Sequence, residues 1–190
     1  MLRKLMFAMF FTLMCVCYIK AQDEPQSSSY LGPQLGWQKA SDADNANLMI
    51  GSAFRAKLSP VLGLEASVNY RKEEFDNGAV NVTNWPVMVT GLIYVLPIVY
   101  GAIGAGWYNT SITYSSDLHL FGVEDQTEQK FGWHFGGGLE IPLGMSRNPG
   151  AILAADIRYV FLNYDFQKLP GSPGVNSNFV YMTVGLLFNL

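Results

Sequence analysis

Apolar and polar side chains alternate with a period of two along most of this chain. Between residues 62 and 71, Leu62, Leu64, Ala66, Val68 and Tyr70 take one parity; Gly63, Glu65, Ser67, Asn69 and Arg71 take the other. Successive side chains of an extended strand point to opposite faces, whereas a helix would scatter both sets around its axis. The same reading predicts strands over residues 30–38, 48–58, 62–71, 80–96, 98–114, 130–143, 151–166 and 178–190. Strands four and five are hinged at Pro97. Polar or Pro/Gly-rich stretches separate them, such as 39–47, Ser59-Pro60, Asn77-Gly78 and 167–177.

One stretch admits a rival. Trp85 to Tyr108 carries no charge and is long enough to cross a bilayer as a helix. Pro86, Pro97, the glycines at 91, 101, 104 and 106 and the many Val, Ile, Tyr and Trp residues favour strands instead. A lone helix would also leave the other alternating segments without partners.

The last strand sets the architecture. Val180, Met182, Val184, Leu186, Phe188 and Leu190 form a wholly apolar face; Phe179, Tyr181, Thr183, Gly185, Leu187 and Asn189 form a mixed one. A free sheet edge of this kind would aggregate, and closing the sheet removes the edge. About eight strands, an even number, with connectors that alternate between long and short, predict an all-β, eight-stranded antiparallel up-and-down transmembrane β-barrel. A soluble barrel would turn its apolar faces inward. Here the polar faces are rich in glycine and small residues, as a narrow interior requires. The apolar faces are broad and aliphatic and carry Trp37, Tyr70, Trp85, Trp107, Trp133 and Tyr159, which suits a lipid belt with aromatic girdles at its rims.

The start of the chain places the barrel. Arg3 and Lys4, the apolar stretch from Leu5 to Ile19 and the Ile19-Lys20-Ala21 site read as an export signal over residues 1–21, cut before Gln22. Residues 22–190 would then form the barrel domain. Cys15 and Cys17 are the two cysteines, and both leave with the signal, so no disulfide or thiolate chemistry is expected. Loss of Arg3, Lys4 and Lys20 leaves nine basic against fifteen acidic residues, a formal charge of −6. That balance argues against nucleic acid as a partner.

Polar residues on the inward parity are the candidates for chemistry. Arg55, Lys57, Glu65, Glu140, Asp156 and Arg158, with Asn69 and His134 nearby, are expected to form an interior polar network in which opposite charges pair. No catalytic residue, cofactor or metal site is expected. The glycine run from Gly101 to Gly106 lacks the helix a phosphate loop needs. The acidic stretch with Asp117, His119, Glu124, Asp125 and Glu128 matches no defined cation spacing. Leu118, Leu120, Phe121 and Val123 in that same connector are a possible contact surface.

The export signal, the strand-turn rhythm and the terminal Phe188-Asn189-Leu190 resemble the small outer-membrane β-barrel family. That group includes the transmembrane domain of outer-membrane protein A and the opacity-type adhesins. The resemblance implies location in the bacterial outer membrane, lipid as surroundings, and periplasmic chaperones and the barrel-assembly machinery as partners during biogenesis. It also implies that Phe188 and Leu190 carry the assembly signal, although Leu190 stands where a terminal Phe is commoner. Some relatives are lipid A hydrolases, whose Ser follows the His by two residues; here that position is Gly136. The expected role is a non-enzymatic outer-membrane protein with a largely plugged interior, a scaffold or a surface contact through its loops. The alternative is a narrow channel for small solutes or apolar molecules, for which Met88, Leu92 and Tyr94 leave room.

Overall fold

A computed structural model of the protein describes residues 28–40, 47–75, 80–114, 126–144, 149–162 and 178–190. Nine strand segments follow in order: β1 Ser28–Ala40, β2 Asn47–Lys57, β3 Leu62–Phe75, β4 Val80–Asn84, β5 Val87–Leu96, β6 Val99–Tyr114, β7 Gln126–Leu143, β8 Ala151–Phe161 and β9 Phe179–Asn189. Each is antiparallel to its neighbours, and β9 returns to pair with β1, so the sheet closes on itself. No helix among the described residues is long and apolar enough to cross a membrane.

β4 and β5 are two parts of one stave, which makes the barrel eight-stranded. The expected strand over 80–96 is therefore present but interrupted at Trp85-Pro86, not only bounded at Pro97. Pro86 has no N–H to give to the ladder. The register nonetheless runs through the break: Arg71 pairs with Asn84 and Val68 with Val87. Trp85 N–H donates to Asn109 O at 2.9 Å, and Pro86 O accepts from Asn69 N at 3.1 Å.

The stagger of the barrel can be followed pair by pair. Ser29 lies opposite Ala56, then Leu64, Gly91, Ile103, Phe135, Tyr159 and Val180, which faces Lys39. One circuit thus climbs ten residues along β1, from Ser29 to Lys39. For eight staves that shear tilts the strands by roughly 40°, and a row of paired residues rises by about 1.25 residues per stave.

The two ends differ. At one end lie Ser28, Leu190 and the turns: Leu58–Val61, Pro97-Ile98 and the stretch opened by Gly144, whose φ of +120° favours glycine. Ser59 shapes the first turn, its Oγ accepting from Val61 N at 3.3 Å and Leu62 N at 3.1 Å. At the other end the connectors 41–46, 76–79, 115–125 and 162–178 leave the strands. Outer-membrane barrels keep short turns on the periplasmic side and longer loops outside, which assigns Ser28 and Leu190 to the periplasmic end.

Parity sorts the wall as the alternation requires. Leu31, Leu35, Leu64, Val68, Val89, Ile103, Leu139, Ile157 and Val184 are among the many large apolar residues exposed on the outer face. An exposed apolar belt of this extent is stable only against lipid. The aromatic residues depart from expectation, because they gather at one rim. Trp107 pairs with Phe131, Trp133 with Phe161 and Phe135 with Tyr159, while Trp37 lies near the loop-side end of β1 and Tyr70 and Trp85 in the loop-side halves of their staves. Edge-to-face contacts link Trp107 to Phe131 and Phe131 to Trp133. The turn-side rim is aliphatic, with Leu58, Leu62, Val95, Leu143 and Leu190, and Phe188 is its aromatic member. Alternation reports which face a residue takes, but not at which end of the barrel it lies.

Candidate functional site: the barrel interior

The lumen is filled in layers. On the loop side Met49, Met88, Tyr108, Val160, Leu162, Phe179 and Tyr181 pack into one apolar cluster. On the turn side Tyr30, Ala53, Ile152 and Leu187 form a second, and Leu92, Tyr94, Tyr100 and Ala102 a third. The charges lie on the turn side of the first cluster and alongside the other two, Arg55 opposite Tyr30 and Glu65 opposite Thr90. Large side chains fit here because inward glycines face them: a Cβ on Gly138 would stand 2.6 Å from Tyr100 Oη, and one on Gly104 2.5 Å from His134 Nε2.

Glu65 sits at the centre of the charged layer. Its Oε2 accepts from Arg55 Nε at 3.0 Å and from Arg55 Nη2, and its Oε1 accepts from Arg158 Nη2 at 2.6 Å. Arg55 turns its other edge to Glu140, with Nη1 donating to Oε2 at 3.1 Å, and reaches Asp156 Oδ2 at 3.4 Å. Arg158 Nη2 also donates to Asp156 Oδ1 at 2.8 Å. Lys57 Nζ, nearer the periplasmic mouth, donates to Glu140 Oε1 at 2.8 Å. Three cations thus meet three anions, from β2, β3, β7 and β8. Arg55, Glu65 and Arg158 are only 1%, 2% and 2% exposed. Charges so far from water persist only when paired and hydrogen-bonded.

Neutral groups complete the set. Tyr94 Oη donates to Glu140 Oε2 at 2.6 Å and Tyr100 Oη to Asp156 Oδ1 at 2.7 Å. The same two rings lie beneath the cations, Arg55 4.8 Å above the Tyr100 centroid and Lys57 4.3 Å above that of Tyr94. Thr90 Oγ1 accepts from Arg158 Nη1 at 2.8 Å and lies 2.9 Å from His134 Nε2, so its own hydroxyl hydrogen is available to that nitrogen.

The structure therefore brings Arg55, Lys57, Glu65, Glu140, Asp156 and Arg158 into one cluster, with His134 attached through Thr90. Asn69 stands apart from it, its Oδ1 accepting from Gln34 Nε2 at 2.7 Å. Thr90, Tyr94 and Tyr100 escaped the reading of charged residues, yet they share the inward parity and could have been found by listing every hydroxyl on it. Met88, Leu92 and Tyr94 fill the lumen at 2%, 0% and 4% exposure. The partners described for His134 are Thr90 and Tyr108, and Gly136 lies against Arg158. Phe188 and Leu190 face outward, and Leu190 N–H donates to Ser29 O at 2.9 Å. Leu118, Leu120, Phe121 and Val123, like the export segment 1–21, lie outside the described residues.

A closed, tilted, antiparallel barrel of eight staves with an apolar outer wall and a charged interior defines a bacterial outer-membrane protein. Residues 8–188 match the outer membrane protein beta-barrel domain, and the chain belongs to that family. A search of curated proteins finds no match. Among solved structures it is similar to a major outer membrane protein of Thermus thermophilus, with 14% identity and a TM-score of 0.57 over 85% of this chain and 99% of that one. Neisserial surface protein A aligns with 13% identity and a TM-score of 0.54 over 86% and 99%. Ail, the attachment invasion locus protein of Yersinia pestis, aligns with 15% identity and a TM-score of 0.52 over 88% and 99% in its complex with the heparin analogue sucrose octasulfate. At such identities the likeness is one of fold.

Proposed function

We propose that the protein is a non-enzymatic outer-membrane barrel whose lumen does not conduct, and that it acts as a membrane scaffold or surface contact through the loops at its outer end. The observation supporting a closed lumen is the mutual neutralisation of Arg55, Lys57 and Arg158 by Glu65, Glu140 and Asp156 beneath the loop-side apolar layer. An ion crossing this path would have to break buried pairs, each costing several kcal/mol to separate. A solute would have to displace the Met49–Met88–Tyr108 layer as well. Work is thereby left to the surfaces. In this reading the barrel-assembly machinery and periplasmic chaperones handle the chain before insertion, and β9, with Phe188 and Leu190, is the segment the machinery reads.

Single-channel recording of the refolded barrel in a planar bilayer tests the proposal, using material whose gel migration shifts on heating. A silent bilayer is expected. Arg158→Ala should lower the unfolding midpoint or introduce a leak, because it leaves Glu65 and Asp156 short of a cation. Steady, reproducible openings by the unaltered protein would overturn the closed-lumen reading in favour of a narrow channel.

A further inference from the structure

The hydrogen-bond ladder is interrupted where the wall closes. Between β6 and β7 the register runs unbroken from Val99–Leu139 to Ile112–Gln126, and between β7 and β8 from Leu143–Ala151 to Trp133–Phe161. Between β1 and β9 it stops after Leu31–Phe188 and resumes at Gln34–Gly185. Leu190 N–H donates to Ser29 O, so Ser29, Leu31, Pro33 and Leu35 turn their backbone groups toward β9. Pro33 therefore faces Leu186 with no N–H to give. The gap lies deep in the wall, between the lipid-facing Leu31 and Leu35.

Side chains do little to make it good. The same register sets Gly32 against Leu187, Gln34 against Gly185 and Gly36 against Thr183, so three inward pairs in succession contain a glycine. Ser52 Oγ donates to Gly32 O at 2.9 Å, but from the β2 side. The break at Pro86 differs, because Asn109 Nδ2 on β6 donates to Trp85 O at 3.1 Å and splints it. What braces the closing seam is the charged cluster. Arg55 on β2 reaches Glu140 on β7 and Asp156 on β8, and Arg158 on β8 reaches Glu65 on β3. None of these charges stands on β1 or β9. The pairs cross the lumen and tie the β2–β3 side to the β7–β8 side.

We infer that the β1–β9 seam at Gly32-Pro33 is the line along which the barrel opens, and that the charged cluster is the latch holding it shut from within. Parting β1 from β9 draws β2 away from β8, so Arg55 must release Asp156 before the gap widens. An opening between β6 and β7 would have to break a continuous ladder in lipid, where no water replaces the lost bonds. The device governs how long the inserted barrel persists, and it stands whether or not the lumen conducts.

Hydrogen exchange of the refolded barrel in phosphatidylcholine vesicles, read peptide by peptide by mass spectrometry, tests this. Amides at 31–36 and 184–188 should exchange at least about tenfold faster than those at 101–106 and 134–139, which lie at similar depth on unbroken ladders. Pro33→Val restores the N–H and should slow exchange in β1 and β9 by about tenfold, roughly the worth of one hydrogen bond. Gly185→Ala, whose Cβ would stand in ordinary contact 3.4 Å from Gln34 Cβ, should slow it in the same direction. Pro86→Val should leave β1 and β9 unchanged. Glu65→Gln loosens the latch and should speed exchange several-fold more in β1 and β9 than in β6 and β7. Each variant is first checked for the heat-dependent gel shift. Equal protection of both sets of amides in the unaltered protein, or no slowing by either Pro33→Val or Gly185→Ala, would overturn the opening line. So would equal slowing by Pro86→Val, which would move the opening to the interrupted stave. Acceleration by Glu65→Gln spread evenly over all staves would overturn the latch.

Discussion

Glu65→Gln is the sharpest probe of the interior, because it removes one charge while keeping side-chain shape. Glu65 accepts from both arginines, through Oε2 from Arg55 and through Oε1 from Arg158. In glutamine one of these oxygens becomes an NH2 group, so whichever way the amide turns, a donor faces a guanidinium donor. At an effective dielectric near 20 and about 4 Å between charge centres, each lost pair is worth about 4 kcal/mol. Most of that is offset, since the carboxylate no longer has to be desolvated. Arg158 also keeps Asp156 at 2.8 Å, and Arg55 keeps Glu140 at 3.1 Å. The net loss is expected to be about 3 kcal/mol, at the low end of what breaking a buried ion pair costs.

Urea titration of the barrel in phosphatidylcholine vesicles measures this. The four tryptophans, Trp37, Trp85, Trp107 and Trp133, lie on the lipid-facing rim, so their emission reports withdrawal from the membrane. A loss of about 3 kcal/mol should appear as a lower midpoint with unchanged slope. Glu65→Gln/Arg158→Gln should cost less than the sum of its parts, because the second change removes a cation stranded by the first. A loss below about 1 kcal/mol for Glu65→Gln would refute the reasoning: the cluster would then behave like exposed ion pairs, with water doing the work assigned to Glu65.

Two glycines of opposite parity should respond oppositely to a single methyl. Gly138→Ala puts a Cβ 2.6 Å from Tyr100 Oη and against the backbone of Ala155, pushing the phenol off Asp156; a loss of about 1–3 kcal/mol is expected in the same titration. Gly101→Ala, with nothing within 4 Å on the lipid side, should change stability by less than about 0.5 kcal/mol. Phe188→Ala should reduce the amount of heat-shifting barrel recovered from cell outer membranes several-fold while leaving unaided refolding into vesicles nearly intact, since Phe188 packs against no interior cluster; an equal loss in both settings would make its role purely structural.

What the sequence makes legible here is parity, and parity is enough for the wall. Arg55, Glu65, Glu140, Asp156 and Arg158 each fall on the inward side by alternation alone, because one residue of slip would put them in lipid. Height is another matter. Arg55 meets Asp156, 101 positions away, and Glu140, 85 positions away, and which charges meet depends on the ten-residue climb of the hydrogen-bond rows around the closed sheet. That climb is the sum of eight registers, each fixed by turns and side-chain packing that no single segment encodes. The same gap explains the aromatic residues, whose outward face was evident while their convergence on one rim was not. It explains the break at Pro86 too: a missing N–H interrupts one stave, but Trp85 and Asn69 carry the ladder across it. A barrel of this kind is therefore specified twice, once locally by alternation and once globally by shear. The interior chemistry belongs to the second level. Replacing a lumen charge with another of the same sign on a neighbouring stave would preserve the alternation and still destroy the pairing, because each stave moves the row by more than one residue.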